Sequence, residues 1–251
     1  MSGHVQAAPI RTRSGASVAT LGILGAGQAG ATLARAAITA GYDIVIANSR
    51  RPETLHDLVR ELGPRARAAW AADAAAAADF AFVAYPYAPD DRLPVEELAG
   101  KVVLDNNNYM AWRDGHFAAV DSGEKTVHEL RQEQLPDSKL AKAFSHVQFH
   151  ARSPIRAPSD ALPGLVRLAR PSGAPDRKAL VVSSNAREAV ELVTRFADDL
   201  GFDTVDNSPL SESWRSAAGT PMWRASVDGQ TREELIRNLG RAERSSGLPV
   251  S

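Results

Sequence analysis

The stretch LGILGAGQAG, residues 21–30, decides how this chain is read. Its glycines at 25, 27 and 30 fit G-x-G-x-x-G, with a run of strand formers before them and the helical pattern AGATLARAAITAG (29–41) after them. In that setting the first glycine permits a tight turn, the second lets backbone approach a pyrophosphate, and the third lets helix and strand pack closely. The helix start also offers free N–H groups and partial positive charge to an anion. Gly25, Ala26, Gly27, Gln28, Ala29 and Gly30 are therefore the expected pyrophosphate-binding residues of a dinucleotide site.

A second strand, YDIVIAN (42–48), follows at the distance expected of one βαβ unit. A carboxylate at its end would accept hydrogen bonds from the adenosine ribose and repel a 2′-phosphate. The chain instead carries Asn48, Ser49, Arg50 and Arg51. Ser49 offers one donor, and the two arginines offer forked, charge-assisted contacts to a phosphate. The expected nucleotide is NADP(H).

Outward from this unit, strand and helix patterns alternate: a helix over 52–63, a weak strand at RARAAW, a short helix DAAAAAD, then strands at 80–87, 101–109 and 138–147. The pattern predicts an α/β fold, a Rossmann-type doubly wound and mostly parallel sheet with a small C-terminal α/β lobe. Its expected organisation is a disordered leader (1–18), an NADP-binding domain (19–137), a substrate-side lobe (138–222) and a terminal helix and tail (223–251). Residues 151–177 break the alternation with five prolines and two glycines and read as a long functional excursion. Beyond it come a strand at 178–184, an amphipathic helix at 186–201, a last strand at 202–207 and a helix opened by Thr231 and Glu234 as a capping box.

Composition narrows the chemistry. The 251 residues hold no cysteine, which excludes disulfides, thiolate nucleophiles and Cys-ligated metals. The formal net charge of −1 gives no reason to expect nucleic acid or an anionic membrane as partner. No apolar run has the length and purity of a membrane span, and the leader lacks the apolar core of a signal peptide, so a cytoplasmic location is expected. His146 and His150 lie four apart without the helix and glutamate of a zinc motif, so no metal is expected.

Ligands of open α/β sheets lie beyond the carboxyl ends of the strands. Three such ends are chemically distinctive: Tyr85-Pro86-Tyr87, Asp105 through Tyr109, and Ser145-His146. Tyr85, Pro86 and Asn106 are placed beside the nicotinamide end of the cofactor. Asn107, Asn108 and Ser145 are placed around the second substrate, and Asp105, Tyr109 or His146 as the proton donor if one is needed.

GAGQAG, NSRRPE, AYPY, DNNNY, KAFSHV and DNSPLSESW occur here in the order seen in the coenzyme F420-dependent NADP oxidoreductases, which the chain resembles over roughly residues 19–222. The resemblance implies a deazaflavin in the cleft between Rossmann domain and C-terminal lobe. It implies direct hydride transfer between the deazaflavin and nicotinamide rings, for which alignment and exclusion of water matter most. It also implies that Gly25, Gly27 and Gly30 hold the pyrophosphate, that Ser49, Arg50 and Arg51 hold the 2′-phosphate, and that Pro86 borders the nicotinamide. Residues 208–211 and 220–221, Thr220 among them, would line the second-substrate side, with Trp214 beside them. Ser145 and Trp214 stand where archaeal members carry histidine and arginine.

Three functions follow as expectations: NADPH–deazaflavin oxidoreductase, NADPH-dependent reductase of a small imine, enamine or carbonyl, and a non-enzymatic NADPH-sensing module. The five arginines and one lysine over residues 151–178 would suit the anionic tail of coenzyme F420. A homodimer pairing through the terminal helix is also expected.

Overall fold

The computed structural model describes residues 18–244, so the expected leader, save Val18, and the last seven residues lie outside the described chain. Eight strands form one sheet: β1 (Thr20–Leu24), β2 (Asp43–Ala47), β3 (Ala66–Ala68), β4 (Phe80–Val83), β5 (Val102–Asp105), β6 (Lys139–Lys142), β7 (Ala179–Ser184) and β8 (Asp203–Asp206). Their order is β3-β2-β1-β4-β5-β6-β7-β8. All neighbouring pairs are parallel except β6 and β7. The strand order therefore switches direction at β1, and the glycine turn leaves the sheet at that switch.

The helices are α1 (Gln28–Thr39), α2 (His56–Leu62), α3 (Ala71–Ala77), α4 (Val95–Leu98), α5 (Ala111–Asp114), α6 (Ala118–Asp121), α7 (Val127–Gln134), α8 (Gly164–Arg167), α9 (Arg187–Asp199), α10 (Pro221–Arg224) and α11 (Arg232–Gly240). One face of the sheet buries Leu21, Ile23, Ile44 and Ile46 against Leu33 of α1 and Phe196 of α9. Phe196 sits edge-on to Tyr42, Phe80 and Phe144 at ring-centre separations of 5.1–5.6 Å, a cluster that ties α9 to the nucleotide half. The other face packs Leu24, Ala81, Val83, Val103 and Leu140 against α3 and α4 and against Leu135 and Leu210. Strands buried on both faces explain their continuous apolar runs.

Most expected elements are present, with shorter strands. The strands foreseen at 80–87, 101–109 and 138–147 stop at Val83, Asp105 and Lys142. Register aligns those three residues with Leu24 across one edge, where the sheet ends and aromatic and amide residues continue as loops. Phe144 turns the chain there with a φ of 56°. The boundary foreseen at 138 falls just before β6, which still pairs in parallel with β5; the sheet reverses one strand later. Thr231 and Glu234 form the capping box as read. Leu235 and Leu239 of that helix pack on Ala179, Val181, Val205 and Met222, so its apolar stripe covers its own sheet and only Ile236 stays exposed. No described helix is long and apolar enough to cross a membrane.

Candidate active site

At the switch point the glycine turn has the shape a dinucleotide needs. Gly25 adopts a φ of +113°, and a Cβ there would press on the Ala84 carbonyl and the Tyr85 ring. A Cβ on Gly30 would fall 1.9 Å from the Gly25 oxygen, so only hydrogen fits. Gly27 differs: it is exposed, and a side chain there would meet no protein atom. The space it leaves lies directly before α1, whose first turn has no side-chain cap. Bare backbone donors facing open space fit a pyrophosphate.

At the end of β2, Asn48 shapes the turn instead of standing free. Its Oδ1 accepts from the Arg50 N–H at 2.9 Å, and its Nδ2 donates to Thr54 Oγ1 at 3.0 Å. The Thr54 hydroxyl in turn donates to the Arg51 carbonyl. This holds Ser49, Arg50 and Arg51 outward and exposed, with Arg51 only loosely paired to Glu53 at 3.5 Å. An exposed pair of cations beside the turn, with no acid at the strand end, suits a 2′-phosphate.

Past β4, Tyr85 packs against Gly25 and Pro86 is exposed. Behind them lies Arg131 of α7, fully buried, with Tyr85 and Tyr87 rings 5.4 and 5.3 Å from its guanidinium. Arg131 donates to Asp91 at 2.6 Å and to Asp105 at 3.1 Å. Burial pushes the Asp105 carboxyl above the ordinary range, while Arg131 and the Asn107 N–H oppose the shift. Asp105 is thus the buried anchor of the loop after β5, and the expected proton-donor role does not match this placement.

His146 also differs from expectation. It is buried, its Nε2 accepts the Val181 N–H at 2.9 Å, and burial lowers its pKa to about 3. It stitches the turn after β6 to β7, and near neutrality its ring is uncharged, so it is not the protonated imidazolium a general acid needs. Tyr109 donates to Asp121 at 2.6 Å, and burial followed by that bond pushes its hydroxyl up to about 12. It borders the site with its hydroxyl already committed.

What the structure does gather is a cavity of about 450 Å³ at the ends of β5 and β6, walled by the 107–112 loop, the start of α7 and residues 213–220. Asn107, Asn108, Tyr109, Trp214 and Thr220 line it as expected. Thr220 serves chiefly as the cap of α10. Asn106 and Ser145 stand beside the cavity without lining it, Ser145 through its carbonyl accepting from Asn108 Nδ2.

Among the lining residues not foreseen are three buried polar ones, His128, Lys142 and Ser213. Lys142 is 2% exposed, donates to the Ser213 carbonyl at 2.9 Å, and is lowered by burial to about 7. His128, 1% exposed, is held well below its ordinary pKa by burial and by Lys142 and Arg131. Their sequence signals are slight: a lysine closing the apolar strand KLAK, and a histidine in a polar helix.

The 151–177 excursion folds over the start of α1, with Ala151, Ala161 and Pro163 beside Gly27 and Gln28. Four of its arginines are tied to this chain: Arg152 to Asp228, Arg167 to the Val227 carbonyl, Arg170 to Asp176, and Arg177 to Asp198 and Asp203. The loop is therefore less free to meet an anionic tail than its composition implies.

Residues 20–109 match the sequence profile of the family described as NADP oxidoreductase, coenzyme F420-dependent. Over those residues, about a third of its length, the chain is similar to that family. For this chain, the match points to an NADP-dependent oxidoreductase. No curated protein matches it in sequence. A hypothetical protein from Sinorhizobium meliloti is 26% identical, with 86% of this chain and 96% of that one covered at a TM-score of 0.62. A protein from Arthrobacter sp. FB24, named as a candidate F420-dependent NADP reductase, is 22% identical, with 78% and 87% covered at a TM-score of 0.60. The latter likeness is one of fold.

Proposed function

We propose that this oxidoreductase exchanges hydride between NADP(H) and a deazaflavin held at the 450 Å³ cavity. Gly25 to Gly30 hold the pyrophosphate, Arg50 and Arg51 the 2′-phosphate, and Tyr85, Pro86 and Asn106 border the nicotinamide. The bound nucleotide supplies or accepts the hydride. The protein's part is alignment: a rigid edge of β4, β5 and β6 on one side, and the 107–112 loop and Trp214 on the other. The observation that carries this reading is the uncapped start of α1 facing the open space at Gly27, together with the family profile over the same residues. Mixing purified protein with NADPH and coenzyme F420 should bleach the deazaflavin absorbance. Tight NADPH binding with no deazaflavin turnover or binding would overturn the choice of second ligand.

A second reading has its own support. Reduction of a small carbonyl or imine needs a proton as well as a hydride, and Lys142 faces the cavity with a pKa near 7, where a general acid works best. In that reading the substrate is a compact organic molecule. NADPH oxidation by a panel of such compounds, without deazaflavin, would support it.

A further inference from the structure

The floor of the cavity is built from side chains whose hydrogen-bonding capacity the protein leaves unused. Asn107, His128 and Ser213 are each at least 95% buried and line the space, yet Asn107 Nδ2, His128 Nε2 and Ser213 Oγ have no partner among the described residues. Trp214 Nε1, in the same wall, is also buried and unpartnered. Buried polar groups without partners are costly, so such a concentration marks a place where a ligand supplies the missing bonds. Lys142 adds a cation to this floor. Its one bond, to the Ser213 carbonyl, leaves two of its three N–H groups uncommitted. Of the carboxylates around the cavity, Asp105 is held by Arg131, Asp121 is held by Tyr109 and His116, and Glu243 is exposed to solvent.

Apart from Ser213 Oγ, which can donate or accept, the unused atoms are of two kinds. Lys142 Nζ, Asn107 Nδ2 and Trp214 Nε1 are donors only. His128 is held neutral by burial, and the Asn107 backbone bonds its ring; with the ring proton on that side, the buried and unpartnered Nε2 presents a bare lone pair. We propose that this cavity binds a small organic carboxylate with a neighbouring hydroxyl or amine, the carboxylate on Lys142 and Asn107 and the adjacent donor on His128 Nε2. The proposal rests on the second reading above, in which the cavity holds a compact organic substrate and not a deazaflavin, and it narrows that substrate's class. A carboxylate is what a desolvated ammonium lacking a counter-charge of its own binds best. The neighbouring donor distinguishes the ligand from a plain fatty acid.

Calorimetry with three probes of nearly equal size tests it: 2-hydroxybutyrate, butyrate lacking the hydroxyl, and 2-hydroxybutyramide lacking the charge. Wild type should bind 2-hydroxybutyrate at least tenfold tighter than either of the others. Lys142→Met should erase the advantage over the amide, and His128→Phe the advantage over butyrate, with NADP⁺ affinity kept as the check on folding. Equal affinities in wild type, or preferences untouched by the two variants, would overturn the proposal.

Wild type alone gives a further test should a variant not fold. The titratable groups that feel Lys142 are Asp105 from β5, His128 from α7 and His146 from the turn beyond β6, and the same cavity is lined by Tyr109, His116, Asp121, Lys125, Glu243 and Arg244. An anion seated on Lys142 should draw a proton from solvent at pH 8, seen as a buffer-dependent heat; no uptake would count against the site. NADP⁺ titration on the same protein separates the two claims. Failure of the nucleotide to bind overturns the reductase reading and leaves a carboxylate site standing, whereas tight NADP⁺ with no discrimination among probes removes the carboxylate site alone.

Discussion

The two ends of the active edge recognise ligands in opposite ways. The glycine turn beside β1 works with backbone: its residues are small, partly exposed and shaped by what a Cβ would strike. The cavity beside β5 and β6 works with side chains: a lysine, a histidine, an asparagine and a serine, all buried and brought from four separate segments. Backbone recognition is local, so it leaves a compact signature in sequence. Side-chain recognition of the second kind exists only after the sheet has put Asp105 and Lys142 in register and α7 has laid Arg131 and His128 across them.

That contrast can be broken most severely at Arg131. Lys142 and the 107 loop depend on Asp105 staying where Arg131 holds it, so Arg131→Met would leave Asp91 and Asp105 facing each other without a cation. A loss of about 3–5 kcal/mol in urea unfolding is expected, since removing one partner strands buried charge. A variant as stable as wild type would show that the cavity's polar network is dispensable.

Gly30→Ala attacks the other end. The new methyl would lie against the Gly25 oxygen, and a loss of about 1–3 kcal/mol is expected, with weakened nucleotide binding as the turn and α1 move apart. Unchanged NADP⁺ affinity would mean that the turn's shape is not what binds the nucleotide.

Replacing Arg50 with Asp and Arg51 with Ala should leave stability nearly untouched, because both side chains are exposed. NADPH binding should fall roughly a hundredfold while NADH changes little, about the worth of two charge-assisted contacts to a phosphate. Equal losses for both nucleotides would remove the arginines from the 2′-phosphate site.

Lys142→Met sharpens the comparison through pH. Its folded pKa of about 7 lies below the ordinary lysine value of 10.5, so the cost of burying the charge is fully present below pH 7. That cost fades as pH rises toward 10.5, where the unfolded chain also loses its proton. The variant should gain stability over wild type at pH 6, and the gain should shrink through this window in paired urea melts.

How far the sequence could be read follows the same divide. The βαβ unit, the sheet's strands and the arginines after β2 were legible because strand, turn and helix signals lie within thirty residues of one another. The caps at Thr231 and Glu234 were legible for the same reason. His146 and Asp105 were misread because their residue types suggest chemistry and only the fold reveals their partners, a Val181 N–H and Arg131. Strand ends ran long because Tyr85, Tyr109 and Phe144 look like strand residues and in fact begin the loops beyond the edge.

The antiparallel join of β6 to β7 has a consequence for how this molecule could be cut. Trimming the chain after Val147, beyond the turn that follows β6, would strip β6 of its partner β7 and leave a sticky border able to recruit a second chain. It would also remove Val181, on which His146 leans, and Ser213, to which Lys142 is tethered. The nucleotide-binding half is thus not a portable module, and any chimera built from it needs to carry a substitute strand for that border.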